Sequence, residues 1–128
     1  SIREIGARLD AVAREHPNGW VLGRGFDQDK LAEGRFPSAT DLDRVVPDRP
    51  VLITRVCGHA AVANSAALAL LTPEERALGD ADGLFTETAI AVVRQYIPPL
   101  TEADAENAVH RALSLALSRG FTSVGTLL

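Results

Sequence analysis

The residues best suited to chemistry lie in one apolar stretch, residues 51–68, which Gly58 and His59 divide in two. Residues 51–56 are mostly β-branched and predict a buried strand, whereas the alanine-rich residues 60–70 predict a helix. A strand that leads through Gly-His into a helix places an imidazole at a strand end, where open α/β sheets bind ligands. The alternative is that Gly58 makes the turn and His59 caps or packs locally.

Two further side chains could act with this imidazole. Cys57 lies two residues before His59 and could share its face of a strand, but no third residue that would orient a thiol nucleophile can be named. A small buried side chain is the simpler interpretation of Cys57. Glu87 follows Gly83-Leu84-Phe85-Thr86 at a predicted helix start, where a carboxylate is either a partner of the helix dipole or a ligand.

The remaining histidines do not predict a metal site. His16 lies at a helix end and His110 lies beside an apolar helix stripe, so both are interpreted as structural or surface residues. The three histidines show no HxH or HExxH spacing. The Gly23-Arg24-Gly25 segment also lacks the later glycine and the lysine of a nucleotide-binding loop.

Composition narrows the class of protein. The 128 residues, 46% hydrophobic and 23% charged, predict one globular domain or less. A net charge of -4 with scattered basic residues argues against nucleic acid as a partner. No apolar run approaches the roughly 20 residues that span a bilayer, so no membrane partner is expected. A single cysteine and no signal-peptide pattern favour a reducing, cytoplasmic compartment.

Periodicity and capping signals predict alternating short elements, in an α+β or α/β arrangement. Helices are expected at residues 2–15, 39–45, 60–70, 73–78, 87–96 and 102–119, and strands at 20–27, 51–56 and 121–126. The chain contains no methionine, and a final strand would have an exposed edge. These two features predict a piece of a longer protein.

Several motifs in order resemble amidohydrolase family 3, a branch of the metal-dependent hydrolases that includes N-substituted formamide deformylases. The motifs are GWVLGRGFD at 19–27, FP at 36–37, DLD at 41–43, VPDRPV at 46–51, Arg55, GH at 58–59, NS at 64–65, AL at 67–68 and GFTSV at 120–124. The resemblance covers nearly the whole chain. Phe26 stands where many members have Trp, and Cys57 where many have Asp.

This resemblance implies a (β/α)8 barrel in which residues 1–100 are an insertion subdomain between the first and second barrel strands, and residues 101–128 supply a barrel helix and strand. It implies a divalent metal, with zinc as the expected ion, that activates water against the C–N bond of a small amide. The family's HxH pair and later metal ligands are absent from this sequence, so the isolated piece is expected to be inactive and metal-free.

The same resemblance makes His59 the candidate catalytic residue, as a contact to the substrate or the transition state. It makes Asn64, Arg55 and Asp27 candidate substrate-binding residues and Glu87 a candidate metal ligand. Two alternatives remain open. The segment could shape the substrate pocket or a homo-oligomer interface without contributing a catalytic group, or it could be a self-standing α+β module that binds a partner.

Overall fold

The structure is a computed structural model and describes residues 1–125. The chain divides into two compact units, Ser1–Ile97 and a second that begins at Pro98. The first unit contains the sheet and all the candidate site residues, and the second contains one long helix. In the part of the chain that is described, no helix is long and apolar enough to cross a membrane.

A four-stranded mixed sheet organises the first unit. Its strands are β1 (Val21–Phe26), β2 (Val51–Arg55), β3 (Ala60–Ala63) and β4 (Leu84–Thr86), and they lie side by side in that order. Strands β1 and β2 are parallel, so residues 27–50 form a crossover. Strands β2, β3 and β4 pair antiparallel, β2 and β3 through the short turn 56–59 and β3 and β4 through the longer connection 64–83.

Short capped helices surround this sheet. They are α1 (Ile2–Glu15), α2 (Ala39–Asp43), α3 (Ser65–Leu68), α4 (Pro73–Arg76) and α5 (Ala89–Arg94), and a single 3-10 turn spans Gln28–Lys30. Capping boxes begin three of these helices, at Ser1, Ser38 and Thr72. Arg49 closes the other end of α1 by donating to the carbonyl oxygens of His16 (2.6 Å) and Ala13 (3.1 Å).

Apolar residues cover both faces of the sheet because successive strand residues point to opposite sides. On one face α1 and α2 pack against the strands, in a cluster of Leu9, Val21, Leu42, Val46, Val51, Ile53 and Val62. On the other face α3 and α5 pack, in a cluster of Leu52, Ala61, Ala63, Leu68, Phe85, Ile90 and Val93. The first unit is therefore a small α+β domain with helices on both faces of an open sheet.

The predicted helix at residues 60–70 is wrong. Residues 60–63 form strand β3, and only the single turn of α3 follows it. Alanine favours helices by intrinsic propensity, but here the segment is hydrogen-bonded between β2 and β4 and all four of its residues are buried. Gly58, with φ of +80°, makes the turn that returns the chain.

Several other boundaries are shorter than the sequence predicts. The predicted helices 39–45 and 87–96 correspond to the shorter helices α2 and α5. Residues 84–86, just before the second of them, form strand β4. Helix α6 (Glu102–Ser118) begins at its predicted cap, where Thr101 Oγ1 accepts from the Asp104 amide at 3.1 Å. The predicted terminal strand is not formed at residues 121–125, and residue 126 lies outside the described range.

Candidate functional site

The antiparallel pairing of β3 with β4 brings two of the predicted site residues together. His59 precedes β3 and Glu87 follows β4, one step beyond the paired residues Ala60 and Thr86. The Glu87 amide donates to the His59 carbonyl oxygen at 3.0 Å, which extends the antiparallel ladder to this pair. The ring Nδ1 of His59 lies 3.0 Å from Glu87 Oε2. Backbone and side-chain contacts thus join the same two residues.

This contact determines how the imidazole presents itself to solvent. A carboxylate only accepts hydrogen bonds, so Nδ1 carries the proton and Nε2 is left free to contact another molecule. Both side chains are exposed, at 68% and 70% of their surface. Glu87 has a φ of 51°, in the left-handed region that costs a residue with a Cβ some free energy.

Charges near His59 favour its protonated form. The hydrogen bond that the ring donates to Glu87, then the Glu87 charge and the charge at Cys57, raise the pKa of His59 above 6.5. The pKa of the Cys57 thiol is lowered, first by the hydrogen bond from the His59 backbone amide at 3.4 Å and then by Arg55, whose Nη1 lies 3.3 Å from Sγ. Cys57 is exposed, so its interpretation as a small buried side chain is wrong.

Arg55 and Asp27 lie together at the end of the parallel pair β1–β2. The Arg55 guanidinium donates from Nη2 to Asp27 Oδ1 (3.3 Å) and Asp29 Oδ2 (3.3 Å), and from Nε to Gln28 Oε1 (2.6 Å). Asp27 also caps the 3-10 turn through the Asp29 amide. Arg55 therefore connects the 3-10 turn to Cys57, and so to the hairpin turn that carries His59.

Asn64 does not join this group. Its side chain is completely buried, Oδ1 accepts from the amides of Val51 (2.8 Å) and Ala67 (3.0 Å), and Nδ2 donates to the carbonyls of Val46 (2.9 Å) and Arg49 (2.8 Å). With both donors and both acceptor positions used inside the chain, Asn64 has nothing left to offer a substrate. We therefore assign Asn64 to the fold and not to substrate binding.

The described side chains do not fit a complete metal site. Protein zinc sites use at least three ligands from the chain, and no group of three His, Cys, Asp or Glu residues within residues 1–125 could hold an ion. Glu87, the candidate ligand, instead uses a carboxylate oxygen to bind His59. Of the other two histidines, His16 ends α1 in the first unit, and His110 belongs to the second unit, where it lies 3.7 Å from Glu106 within α6.

Sequence reasoning missed the pairing of His59 with Glu87, because the two residues are 28 positions apart and neither strand β3 nor strand β4 was predicted. A signal was present. Apolar residues 51–55 and 60–63 are separated by a short connection that contains Gly58, which is typical of a hairpin. The alanine content of the second run obscured it.

Replacing Glu87 with glutamine is expected to lower the pKa of His59 toward its ordinary value, because the neutral amide removes the charge that favours the imidazolium. The measurement is an NMR titration of the His59 ring protons in the 128-residue chain. Glu106→Gln, which alters the acidic neighbour of the exposed His110, is the matched control and should leave His59 unchanged. An identical His59 titration in the Glu87 variant and the unmodified chain would contradict this assignment.

The same shift fixes the sign of a pH effect on stability. Because the pKa of His59 is raised in the folded state, the ion pair with Glu87 contributes fully to folding stability at pH values below the pKa of the unfolded state, near 6.5. That contribution to stability is lost as the pH rises through the raised pKa that His59 has in the folded state. Both groups are exposed, so the effect on the whole domain is small.

Comparison with known proteins places this domain in a family. The model for the "Amidohydrolase family" matches residues 2–127. The N-substituted formamide deformylase of Arthrobacter pascens is 34% identical over 98% of this chain and 26% of its own length. Protein LONG AFTER FAR-RED 3 of Arabidopsis thaliana is 32% identical over 90% of this chain and 22% of its own.

A solved structure agrees with these sequences. The crystal structure of an uncharacterized metal-dependent hydrolase from Pyrococcus horikoshii OT3 has a TM-score of 0.69 and 35% identity, covering 97% of this chain and 25% of that one. The chain thus spans about a quarter of the length of the relatives it matches. With a family model that matches almost every residue, this chain belongs to the amidohydrolase family.

Proposed function

We propose that this chain is part of a longer metal-dependent hydrolase that cleaves C–N bonds other than peptide bonds in small amides, and that His59 contacts the reacting substrate there. The observation that carries the proposal is the His59–Glu87 pair in a chain matched from end to end by an amidohydrolase model. A deformylase among the relatives supports an amide as the substrate class.

In this proposal the Ser1–Ile97 unit is an insertion between the first two strands of a (β/α)8 barrel, and the unit that begins at Pro98 contributes to the barrel itself. The longer enzyme would work in a reducing, cytoplasmic compartment. Its divalent metal, with zinc as the expected ion, would be held by residues outside this segment, because the described side chains do not form a ligand set. The segment alone would then be inactive.

His59 has the properties that amide hydrolysis needs near the scissile bond. The reaction adds water to the carbonyl carbon, places negative charge on the carbonyl oxygen and releases the nitrogen with an added proton. An imidazolium held by Glu87 through Nδ1 presents its Nε2–H as a donor, either to the developing oxyanion or to the departing nitrogen. The raised pKa of His59 keeps that donor present closer to neutral pH.

The competing proposal is that the segment shapes the substrate pocket without supplying a catalytic group. The exposure of His59 and Glu87 in this chain is compatible with both, since an exposed pair can face either a substrate or another surface of the longer protein. The two proposals differ in what happens to the turnover number when His59 is removed, and a single pair of variants distinguishes them.

In the full-length enzyme, His59→Ala is expected to lower kcat by about 100-fold or more, because one preorganised donor to the transition state is lost. Turnover is measured on a panel of N-formyl and N-acyl amides, with metal content determined on the same samples. His110→Ala, which removes another exposed histidine beside a glutamate, is the control and should retain activity. Unchanged kcat in His59→Ala with normal metal content would favour the pocket-shaping proposal.

A further inference from the structure

A second site lies on the sheet face that α5 only partly covers. Here the first unit contains an open cavity of about 480 Å³. Its floor is formed by neighbouring residues of the parallel strands, since Leu22 pairs with Leu52 and Arg24 pairs with Thr54 in register. Helix α5 packs farther along the same face, over Ala61, Ala63 and Phe85, so the part nearest β1 remains open.

The end of α5 forms the wall of this cavity. Ile90 and Val93 of α5 are buried in the core, and the last residue of the helix, Arg94, lines the cavity together with Ile97. A guanidinium from the sheet (Arg24) and another from the helix end therefore border the same space. Ile97 also packs against the core cluster, so the wall is anchored.

The polar lining of the cavity is cationic. Within residues 1–125, the guanidinium groups of Arg24 and Arg94 make no hydrogen bond or ion pair, and no acidic side chain lines the cavity. A third arginine, Arg55, lines it too but is held by Asp27, Asp29 and Gln28. Two free guanidinium groups in one cavity are notable in a chain whose net charge is -4.

The remainder of the lining is apolar or weakly polar. Leu22, Leu52 and Ile97 supply hydrocarbon surface, and Thr54, which pairs with Arg24 across the two strands, adds one hydroxyl. A cavity with convergent cations and an apolar floor suits a molecule that has an acidic group and a hydrocarbon body. Guanidinium groups are well matched to carboxylates because they donate two parallel hydrogen bonds.

From these contacts we propose that the cavity is a binding site for a small organic carboxylate, with the acid group between Arg24 and Arg94 and the hydrocarbon body on Leu22 and Leu52. The site does not depend on the catalytic assignment of His59. It lies close to that residue in the chain, because Gly58 also lines the cavity.

The test is an NMR titration of the isotopically labelled 128-residue chain with hexanoate, with hexanamide as the uncharged ligand of the same length. Hexanoate is expected to give saturable shifts at Arg24, Thr54 and Arg94, and hexanamide to bind at least about 10-fold more weakly, as one lost charged contact implies. Raising the salt concentration from about 0.05 M to about 0.5 M should weaken hexanoate binding.

Variants separate this site from general attraction of anions. The double variant Arg24→Gln and Arg94→Gln should raise the Kd for hexanoate by about 10-fold or more, whereas Arg76→Gln, which removes an exposed arginine on α4, should leave it unchanged. Dispersed amide spectra verify that each variant folds. Equal affinity in the double variant, equal binding of hexanamide, or binding of inorganic phosphate as tight as that of hexanoate would each overturn the proposal.

Discussion

Replacing Asn64 with alanine is expected to lower the free energy of unfolding of the Ser1–Ile97 unit by at least about 3 kcal/mol. The buried amide satisfies two backbone N–H groups and two backbone carbonyls, and alanine would leave all four without a partner in a site that has no access to solvent. For a unit of this size the loss corresponds to a fall in Tm of roughly 15 °C. Thermal or urea unfolding measures it.

Ser65→Ala is the matched control, one residue along the chain. The Ser65 hydroxyl donates to Asp43 Oδ2 at 2.6 Å at the surface, so its removal is expected to cost no more than about 1 kcal/mol. If both variants lost the same small amount of stability, the structural role assigned to Asn64 would be wrong and substrate binding would need to be reconsidered.

Replacing Gly83 with alanine is expected to destabilise the same unit by roughly 2–4 kcal/mol. Gly83 has a φ of +82°, which disfavours any side chain, and a Cβ there would lie 2.4 Å from the Ala63 carbonyl oxygen. The chain would have to move β4 away from β3 to relieve this contact. We therefore expect the His59 pKa to fall toward its ordinary value in the same variant, because β4 leads into Glu87.

Gly19→Ala separates the two contributions to this effect. Gly19 has nearly the same φ, +79°, but a Cβ there would meet nothing within 4 Å. It should therefore show only the conformational cost of about 1–2 kcal/mol. Equal unfolding free energies for the two variants would mean that the close approach of Gly83 to β3 is not a constraint on the fold.

The sequence was informative where a local pattern determines the structure. Helices α2 and α6 begin after the predicted capping residues Ser38 and Thr101, because a cap is a contact between residues three apart and is visible in the sequence. Strand β2 was also predicted, because its first four residues, 51–54, are all β-branched or apolar. The amidohydrolase family was identified from its motifs and is confirmed by the family model.

The contacts within the candidate site could not be predicted from short-range patterns in the sequence. Strand β3 consists of alanines and one valine, and it is a strand only because it lies between β2 and β4. The contact between His59 and Glu87 depends on that placement. Likewise, the carbonyl groups that bind Asn64 come from the crossover that precedes β2, which no spacing in the sequence would reveal.

The double contact between Glu87 and His59 has a consequence for motion. The backbone of Glu87 is hydrogen-bonded to the backbone of His59, so the two side chains start from fixed neighbouring positions even when the hydrogen bond between them is broken. Rotation of the ring about its side-chain bonds stays fast because both side chains are exposed, but the two backbones separate only when this rung of the sheet opens, which is a cooperative, infrequent event. The side-chain hydrogen bond can thus re-form after each rotation for as long as the amide protons of β3 and β4 resist exchange with solvent.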